Sequence, residues 1–560
     1  MKQLSVLGIE GTAWNLSASV FGEDLISLAS HAYLPLSGGI HPREAAQHHA
    51  SYVRSVISKA ISDATNSAVD AASDEEDKRS FLSDIDAIAF SQGPGLGPCL
   101  RVVATASRAL AASLKVPLIG VNHCVAHIEI GRFASGFADP IVLYASGANT
   151  QVLGYLNGRY RIFGETLDIG LGNALDKFAR SKNFPHPGGP KIEEYARSGK
   201  YIPLPYTVKG MDLAFSGLMS AAKDAKAPLE DVCYSLQENA FAMCTEVSER
   251  ALAQTGKDEL ILVGGVGANK RFQEMVQVMC EERGASFYAP EMKYLGDNGA
   301  MIAYTGRLML QEGMTLSIPE SEVRPGFRAD QAEVPWRDAK PNSLQKQMLK
   351  PSTIRGAEAV VSYDVADMGR CELAVVRKKR VSKRYRVSSL DEHLIAERTR
   401  IEARLLSEAR RAGVLTPVLH DVTSTTLTMD HIQGMPLKEG LSEEYLFEAG
   451  KIVGRLHAAG IVHGDLTTSN MIVENGKTEF LASGNVPPRI VLIDFGLAQM
   501  TTEPEPRGVD LHVLFQILTS TSDEYEELIS AFCAGYRETS PDAELIIARE
   551  AEITERGRYL

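Results

Sequence analysis

The sequence predicts an α/β protein made of two folded blocks, the first with a duplicated core, and three observations lead there. Three short apolar runs each end in a glycine turn, which is typical of buried strands that feed backbone-rich loops: LSVLGIEGT, IVLYASGANT and LILVGGVGAN. The first two lie near the starts of two halves of similar size, which indicates duplication. Residues 316–342 are rich in proline and charge and lack a sustained period, which indicates an arm and linker between the blocks.

Composition excludes several classes of protein. The 560 residues include 58 Lys and Arg against 71 Asp and Glu, a net charge of −13, and 44% are hydrophobic, which is ordinary for globular proteins. No apolar run approaches the roughly 18 residues of a membrane helix, and the first residues lack the features of a signal peptide. Seven cysteines without a C-x-x-C pair argue against a disulfide framework or a zinc ribbon. We therefore expect a soluble, cytoplasmic protein that does not contact membranes.

The sequence also predicts two helices and one exposed loop in the first block. A fourth glycine turn, GPGLGP, precedes a helix, and the third apolar run precedes another. The acidic segment 65–80 reads as an exposed loop before the strand IDAIAF. Four glycine turns, three of them directly after strands, favour a nucleotide-binding cleft. The predicted apolar faces are Val103, Ala106, Leu110 and Leu114 in the first helix and Phe272, Met275, Val276 and Met279 in the second.

Two histidines are candidate metal ligands. His123 and His127 are four residues apart, so one helical face can present both imidazoles to a single ion. A zinc peptidase of the H-E-x-x-H type needs Glu after the first His, where this chain has Cys124, so that interpretation is weak. A lone pair at this spacing is more often structural. Asp297 in the turn YLGDNGAM and Tyr144 at the end of a strand offer two oxygen ligands, although periodicity does not show that the four residues meet.

From Leu4 to Trp336 the chain resembles the tRNA N6-adenosine threonylcarbamoyltransferase family, the catalytic subunits of the KEOPS complex. The motifs that carry this resemblance occur in order: GIEGTAWN, FSQGPGLGPCLRV, GVNHCVAHIE, LYASGANTQV, GNALDKFAR, PHPGGPKIE, AFSGL, GGVGANKR and GDNGAMIAY. The family has the actin/Hsp70/sugar-kinase (ASKHA) fold, which agrees with a duplicated core.

The resemblance implies a metal ion and an adenylate substrate. It implies that iron or zinc is held by His123, His127, Tyr144 and Asp297. It implies that threonylcarbamoyl-adenylate is bound by Tyr144, Ala145, Ser146, Gly147, Ala148, Asp176, Gly189, Glu193 and Asn269. From the residues alone, ordinary structural roles are favoured for Asp176, a carboxylate at a helix start, and for Asn269, a helix N-cap. A cation would polarise the carbonyl of this mixed anhydride and neutralise developing charge.

The second block carries the residues of a protein kinase. HGDLTTSN places Asp465 five residues before Asn470, the spacing of a kinase catalytic loop, with glycine in place of the usual Arg. LIDFG supplies Asp494 for magnesium. Upstream, the run ELAVVRK ends at Lys378, and TRIEARLL offers Glu402 as its helix partner. All four motifs in this order predict a small α+β kinase fold of two lobes.

Missing parts distinguish this block from ordinary protein kinases. There is no G-x-G-x-x-G, and the phosphate loop is expected at Ile354–Ser362, where Gly356 is the sole glycine. Only 15 residues separate Gly496 from His512, and no A-P-E follows. We therefore expect no peptide-docking activation segment.

These features resemble the small RIO-like serine/threonine kinases of KEOPS over residues 351–560. The matching motifs are RGAEA, KRVSKRYR, LDEHLIAERTRIEAR, HGDLTTSN, IDFGLA, VDLHVL and RGRYL. The resemblance implies that Asp465 is the general base, that Asn470 and Asp494 bind magnesium, and that ATP is bound by Ile354, Gly356, Lys378, Glu402, Asn470 and Asp494. It also implies an ATPase that supports tRNA modification and autophosphorylates on serine.

The segment Arg377–Arg386, with seven basic residues in ten, leaves two interpretations open. It is either an electrostatic footprint for phosphates or nucleic acid, or a solvated basic face. If it binds tRNA, Lys383→Glu and Arg384→Glu should weaken that binding.

Together these patterns predict a fusion of the two KEOPS enzymes, an arrangement typical of some archaea. We expect a transferase at residues 1–338, a linker at 339–350 and a RIO-like kinase at 351–560. The resemblance implies transfer to the adenosine 3′ of the anticodon in tRNAs that read codons starting with A. It also implies partners: tRNA, the small dimerising and kinase-binding KEOPS subunits, and a separate synthase for the adenylate. Rival functions are a zinc metallopeptidase fused to a protein kinase and a scaffold without activity; the sequence does not separate iron from zinc.

Overall fold

Two five-stranded sheets of identical strand order form the N-terminal part of the protein. The computed structural model describes residues 4–35, 39–68, 84–156, 158–337, 353–367, 372–474 and 488–559. The first sheet, in the order β3-β2-β1-β4-β5, contains β1 Ser5–Glu10, β2 Asn15–Phe21, β3 Leu25–Ala32, β4 Ile85–Gly93 and β5 Leu118–Asn122. Further along the chain are β6 Ile141–Ala145, β7 Thr150–Leu156, β8 Arg159–Glu165, β9 Val208–Lys209, β10 Asp212–Leu213, β11 Glu259–Val263 and β12 Ser286–Tyr288.

The second sheet repeats the first. Its order is β12-β11-β6-β7-β8, so β6, β7, β8, β11 and β12 occupy the places of β1 to β5. In both sheets the first three strands pair antiparallel and the last two run parallel to the first. The predicted duplication of an ASKHA-type core is confirmed.

Helices cover both sheets and carry the loops that build the site. They are α1 Pro42–Ala68, α2 Gly97–Leu114, α3 His123–Ser135, α4 Leu171–Ser181, α5 Gly189–Ala196, α6 Ser216–Asp224, α7 Leu229–Thr255, α8 Lys270–Arg283, α9 Met292–Leu295 and α10 Gly299–Gln311. Short 3₁₀ turns span Gly265–Ala268 and Ala329–Gln331.

The two predicted helix faces had different outcomes. In α8, all four predicted apolar residues are buried. In α2, Val103 is buried, but Ala106, Leu110 and Leu114 are only partly buried. Because α2 packs against both α1 and β4, its buried face is turned toward Cys99, Leu100, Val103, Ala104, Ser107 and Ala111.

The predicted loop at 65–80 and the predicted linker are only partly described. Thr65–Ala68 belong to α1, so a loop from residue 65 was wrong there, and residues 69–83 lie outside the described residues. Residues 316–337 form an arm along both sheets. On the first sheet Leu316 bridges Leu118, and Arg324 N–H donates to the carbonyl of Gln92 over 2.8 Å. The later part, from Phe327 to Trp336, packs in the apolar cluster of the second sheet. Residues 338–352 lie outside the described residues, so the domain boundaries stay a prediction.

The C-terminal part has the two lobes expected of a kinase. Its strands are β13 Thr353–Arg355, β14 Ala359–Asp367, β15 Glu372–Arg380, β16 Leu419–Val422, β17 Thr426–Asp430, β18 Gly434–Pro436, β19 Ile461–Val462, β20 Met471–Glu474, β21 Arg489–Leu492 and β22 Gln499–Met500. Five of them form an antiparallel sheet in the order β13-β14-β15-β17-β16. The helices are α11 Ser388–Arg411, α12 Glu443–Ala458, α13 Pro504–Thr521, α14 Tyr525–Thr539 and α15 Ala543–Tyr559, with 3₁₀ turns at Leu437–Glu439 and Thr468–Asn470.

One apolar core continues across the two parts. The cluster beneath the second sheet, built on α7 and α8, also contains Tyr385, Leu390 and Leu394 of the C-terminal part. In the described part of the chain, no helix is both long and apolar enough to cross a membrane.

Candidate metal centre and nucleotide site

Two histidines and an aspartate meet between the two sheets. Helix α3 begins at His123 because the side chain of Asn122 caps it, so His123 and His127 lie on successive turns of one face. Asp297 lies in the turn before α10, and its Oδ1 is 3.5 Å from His123 Nε2 and 3.2 Å from His127 Nε2. One ligand atom from each of the three residues lies within 4.8 Å of the others. Both predicted histidine ligands and one of the two predicted oxygen ligands therefore converge.

Tyr144 lies beside this cluster, in the strand β6. Its ring centroid is 5.2 Å from that of His127, and its side chain is buried. The phenol oxygen lies near Ser146 and Asn149 without a hydrogen bond of normal geometry, and Nδ1 of His127 is likewise buried without a partner. Burial raises the pKa of Tyr144 well above its ordinary value. Buried polar atoms without partners are costly, and this set of nitrogen and oxygen donors suits iron or zinc.

Glu10 orients one of the histidines. Its Oε2 is 3.1 Å from His123 Nδ1, and its Oε1 accepts the N–H of Thr12 over 2.7 Å. Burial disfavours the charged imidazole, but Glu10 and Asp297 raise the pKa of His123 to about 9. A carboxylate on the far nitrogen of a histidine fixes the ring so that Nε2 faces the ion. Our sequence reasoning missed Glu10, although the first glycine turn, GIEGT, contains it.

The predicted substrate turn, Tyr144–Ala148, is held by the start of α4. Gly172 N–H donates to the carbonyl of Ser146 over 3.0 Å, and Asn173 N–H donates to the carbonyl of Gly147 over 2.8 Å. A Cβ on Gly170 would lie 2.2 Å from the carbonyl oxygen of Ala148, so glycine is required for this close approach. The turn at the end of β6 is therefore fixed through its backbone.

Asp176 ties α4 to the start of α5. Its Oδ1 accepts the N–H of Gly188 over 2.7 Å, and its Oδ2 is 3.2 Å from Nδ1 of His186. Asp176 lies in the second turn of α4, so a plain carboxylate at the helix start was the wrong description. Gly189, the first residue of α5, follows directly.

Asn269 and Glu193 meet at the start of α8. Asn269 accepts the N–H of Phe272 over 3.1 Å, which confirms the helix N-cap, and its amide donates to Gln237 over 2.9 Å. Glu193 accepts the N–H of Lys270 over 3.1 Å. Sequence reasoning missed Gln237, which no motif marks.

The five predicted kinase side chains come together in the second part. Lys378 Nζ lies 2.8 Å from Glu402 Oε1 and also contacts Asp494. Asn470 donates to the side chain of Asp465 over 3.1 Å. The predicted phosphate loop is the β13–β14 hairpin: Gly356 N–H donates to the carbonyl of Ala359 over 2.9 Å, while the side chain of Ile354 lies outside the described residues.

Comparison with known proteins gives two family matches and many full-length relatives. Residues 25–304 match the TsaD family, tRNA N6-adenosine threonylcarbamoyltransferase, and residues 365–485 match the RIO domain. A probable bifunctional tRNA threonylcarbamoyladenosine biosynthesis protein from Methanospirillum hungatei is 63% identical over 560 residues, 100% of both chains. Proteins of the same description from Methanoculleus marisnigri (60%, 99% of this chain, 98% of the relative) and Methanocorpusculum labreanum (61%, 100% of both) are similar.

The chain belongs to this bifunctional family. The predicted fusion of a transferase with a RIO-like kinase is thereby confirmed, and the peptidase and scaffold alternatives find no support. We call the N-terminal part the transferase domain and the C-terminal part the kinase domain.

The catalytic loop of the kinase domain is fixed by Asp510 of α13. Asp510 accepts the N–H groups of His463 and Gly464 over 2.6 and 2.8 Å. Gly464 has φ +76°, and a Cβ there would lie 2.1 Å from the carbonyl oxygen of Leu497. This explains why the catalytic loop has glycine at position 464, where protein kinases usually have Arg. Burial raises the pKa of Asp465, which Arg250 of the transferase domain opposes.

The basic segment Arg377–Arg386 has a role that we did not predict. Lys378, Arg380, Lys383 and Arg386 are buried in ion pairs. Lys383 lies 2.6 Å from Glu249, and Arg386 lies 2.6 Å from Glu246, both on α7 of the transferase domain. A solvated basic face was therefore wrong for these four residues, whereas Lys378 stays predicted to bind the phosphates of ATP. A tRNA contact at Lys383 was wrong because its ammonium is buried between the domains, whereas Arg384 is 72% exposed.

Proposed function

We propose that the transferase domain moves a threonylcarbamoyl group from threonylcarbamoyl-adenylate to N6 of the adenosine 3′ of the anticodon, in tRNAs that read codons starting with A. The observation that carries this proposal is the convergence of His123, His127 and Asp297 beside the buried Tyr144 in a chain of this family. Those four side chains would hold one iron or zinc ion, which supplies a Lewis acid for the acyl carbonyl and the leaving phosphate.

The chain's own residues position the reaction. The backbone of Tyr144–Ala148 forms a rigid turn next to the ligands, suited to the acyl-phosphate end of the adenylate. Gly189 and Asn269 lie at the starts of α5 and α8, and the carboxylates of Asp176 and Glu193 contact backbone N–H groups at those two helix starts. Such N–H groups and carboxylates are suited to binding phosphate and ribose. The N6 amine attacks the carbamoyl carbon, the bond to the phosphate oxygen breaks, AMP leaves, and the amine loses one proton.

For the kinase domain we propose magnesium-dependent ATP hydrolysis, with autophosphorylation on serine, in support of the transfer. Lys378, oriented by Glu402, binds the α- and β-phosphates, and Asn470 and Asp494 hold magnesium. Asp465 accepts the proton of the attacking group, and the hairpin with Ile354 and Gly356 covers ATP. This carboxylate faces Asn470 at hydrogen-bond distance, as a catalytic-loop base does.

The same proposal includes the partners. These are tRNA, the small dimerising and kinase-binding KEOPS subunits, and a separate synthase that supplies the adenylate in the cytoplasm. The two domains are already joined through a continuous core, so the remaining subunits need to bind only outer surfaces.

The test is modification of a tRNA transcript by the full chain with ATP, threonine, bicarbonate and a threonylcarbamoyl-adenylate synthase. Nucleosides are then analysed by mass spectrometry, and metal content is measured on the same preparation. We expect the modified adenosine with wild type, and loss of both product and metal in His123→Ala. The control is His393→Ala, whose side chain is 71% exposed. Absence of product from wild type, even with the small KEOPS subunits added, would contradict the proposal.

A further inference from the structure

An arginine of the transferase domain reaches the catalytic loop of the kinase domain. Arg250 lies near the end of α7, and its Nη1 donates to the carbonyl of Gly210 over 2.6 Å. The same nitrogen is 3.9 Å from Oδ1 of Asp465. Nη2 lies 2.9 Å from Glu246 and also pairs with Glu358. The guanidinium is buried, so its position is fixed by these partners.

Glu358 makes this contact relevant to nucleotide binding. It lies in the turn of the phosphate hairpin, directly before β14. Arg380 and Arg398 of the kinase domain lie 2.6 and 2.9 Å from its two carboxylate oxygens. Despite burial, Arg398, Arg250 and Arg380 hold the pKa of Glu358 well below its usual range. Arg250 therefore contacts the carboxylate of Glu358 in the phosphate hairpin and faces the carboxylate of Asp465 in the catalytic loop. These two segments belong to the two lobes that enclose ATP in a kinase.

The charges that face Asp465 show what Arg250 contributes. Asp494 and Glu358 place two further carboxylates near Asp465, so three acidic groups share this site. Arg250 brings a guanidinium nitrogen to 3.9 Å from Asp465 and also pairs with Glu358. Its positive charge therefore offsets the repulsion between carboxylates of the two lobes, and it comes from the transferase domain.

We propose that Arg250 is a positioning residue of the ATP-hydrolysing site, supplied by the transferase domain to hold Glu358 and Asp465 in their working arrangement. The proposal rests on the ATP hydrolysis proposed above. In that reaction a water oxygen bonds to the γ-phosphorus, the bond to the β-phosphate bridging oxygen breaks, and ADP leaves. Asp465 takes the proton of the water. Arg250 touches none of the reacting atoms and acts through the two carboxylates.

The experiment measures ATP hydrolysis by the full chain against ATP concentration for wild type, Arg250→Gln and Arg250→Lys. Asp494→Asn serves as the inactive reference. The matched control is Arg161→Gln: Arg161 is another arginine of the transferase domain that donates to the kinase domain, at the carbonyl of Thr519 over 3.3 Å. Circular dichroism and metal content establish that each variant is folded.

For Arg250→Gln we expect kcat to fall roughly tenfold while KM for ATP changes less than about twofold. In Arg250→Lys kcat should fall less, since the charge remains while the two-pronged contact is lost. Arg161→Gln should keep the wild-type kcat and KM. If Arg250→Gln does not fold, the lysine variant alone still tests the fall in kcat.

Three results would overturn the proposal. Unchanged kcat in a folded Arg250→Gln would mean that the contact is structural. Faster hydrolysis would mean that Arg250 inhibits the kinase domain. If wild type hydrolyses no more ATP than Asp494→Asn, the proposed ATPase function fails, and this inference fails with it. Wild-type hydrolysis with an unaffected variant would instead leave the proposed function standing.

Discussion

The candidate metal centre and the nucleotide site differ in how completely their buried polar groups are paired. In the metal centre, Nδ1 of His127 and the phenol of Tyr144 are buried without partners. In the nucleotide site the charged groups neutralise one another: Lys378 lies between Glu402 and Asp494, and Arg380 lies between Glu402 and Glu358. The first site is suited to a cation that stays. The second site is held together by its own ion pairs, and in the proposed function ATP would exchange with these partners.

The largest expected effect tests whether the two sites are chemically independent. Asp494→Asn removes a proposed magnesium ligand and a partner of Lys378, so ATP hydrolysis should fall by about 10²-fold or more. The iron or zinc content of the transferase domain should not change. The measurement is phosphate release together with metal analysis, with the exposed Asp421→Asn as the control. Loss of the transferase metal would show that the sites do not act separately.

The next effect concerns the ion pairs between the domains. Lys383→Glu places a carboxylate beside Glu249 in a buried position and should lower the free energy of unfolding by about 3–5 kcal/mol. Arg384→Glu is the matched control, since this exposed neighbour should change stability by about 1 kcal/mol or less. Urea unfolding followed by fluorescence measures both variants. Equal effects at the two positions would be inconsistent with a buried interface.

A smaller effect, on metal affinity, tests whether Glu10 orients the candidate ligand His123. Glu10→Gln keeps the shape of the side chain but removes the charge 3.1 Å from His123 Nδ1. Metal affinity should weaken roughly 10- to 100-fold, as measured by competition with a chelator. Glu23→Gln, an exposed carboxylate outside this contact, should leave the affinity unchanged. Unchanged affinity in Glu10→Gln would remove Glu10 from the site.

The smallest expected effect is on the pH dependence of stability, and it follows from the difference in pKa between two buried histidines. Carboxylates raise the pKa of His123, whereas burial and the neighbouring His48 lower the pKa of His49 to about 4. His49 is therefore neutral when folded, and the unfolded chain binds its proton first. Its contribution to stability is present above the unfolded pKa of 6.5 and is lost as pH falls toward 4.

Removing that titration should flatten the acid side of the stability profile. In His49→Phe, the loss of unfolding free energy between pH 6.5 and 4 should be roughly 1–3 kcal/mol smaller than in wild type. Urea midpoints across this pH range measure the difference. His393→Gln, which changes an exposed histidine, should follow the wild-type profile.

Spacing alone predicted that the two candidate histidines share a face and that the kinase residues lie together, whereas the addition of Asp297 and Tyr144 to the candidate metal site came from the family resemblance. His123 and His127, four apart, had to share a helical face, and Asp465 had to lie near Asn470. Strand runs before glycine turns predicted the duplication, since buried strands are continuously apolar.

Contacts between segments far apart in the chain could not be predicted from the sequence. Nothing in RKKRVSKRYR distinguishes Lys383, buried against Glu249, from the exposed Arg384, because burial depends on a helix more than 100 residues away. Gln237 and Arg250 were missed for the same reason: both lie on α7 without a motif, and their partners Asn269 and Glu358 come from other elements. The predicted apolar face of α2 was wrong because the helix packs against two neighbours, α1 and β4, which together determine its buried side.

Helix α7 limits how freely the two halves of this chain can be exchanged. Gln237, which holds Asn269, and Arg250, which holds Glu358, are 13 residues apart on one rigid helix, a separation of roughly 20 Å. A chimera that joins this transferase to the kinase of another fusion protein must therefore match carboxylates and arginines at the junction while leaving the other end of the helix undisturbed. The two domains have separate folds, but the ion pairs between them require matching charged residues on both sides of the junction.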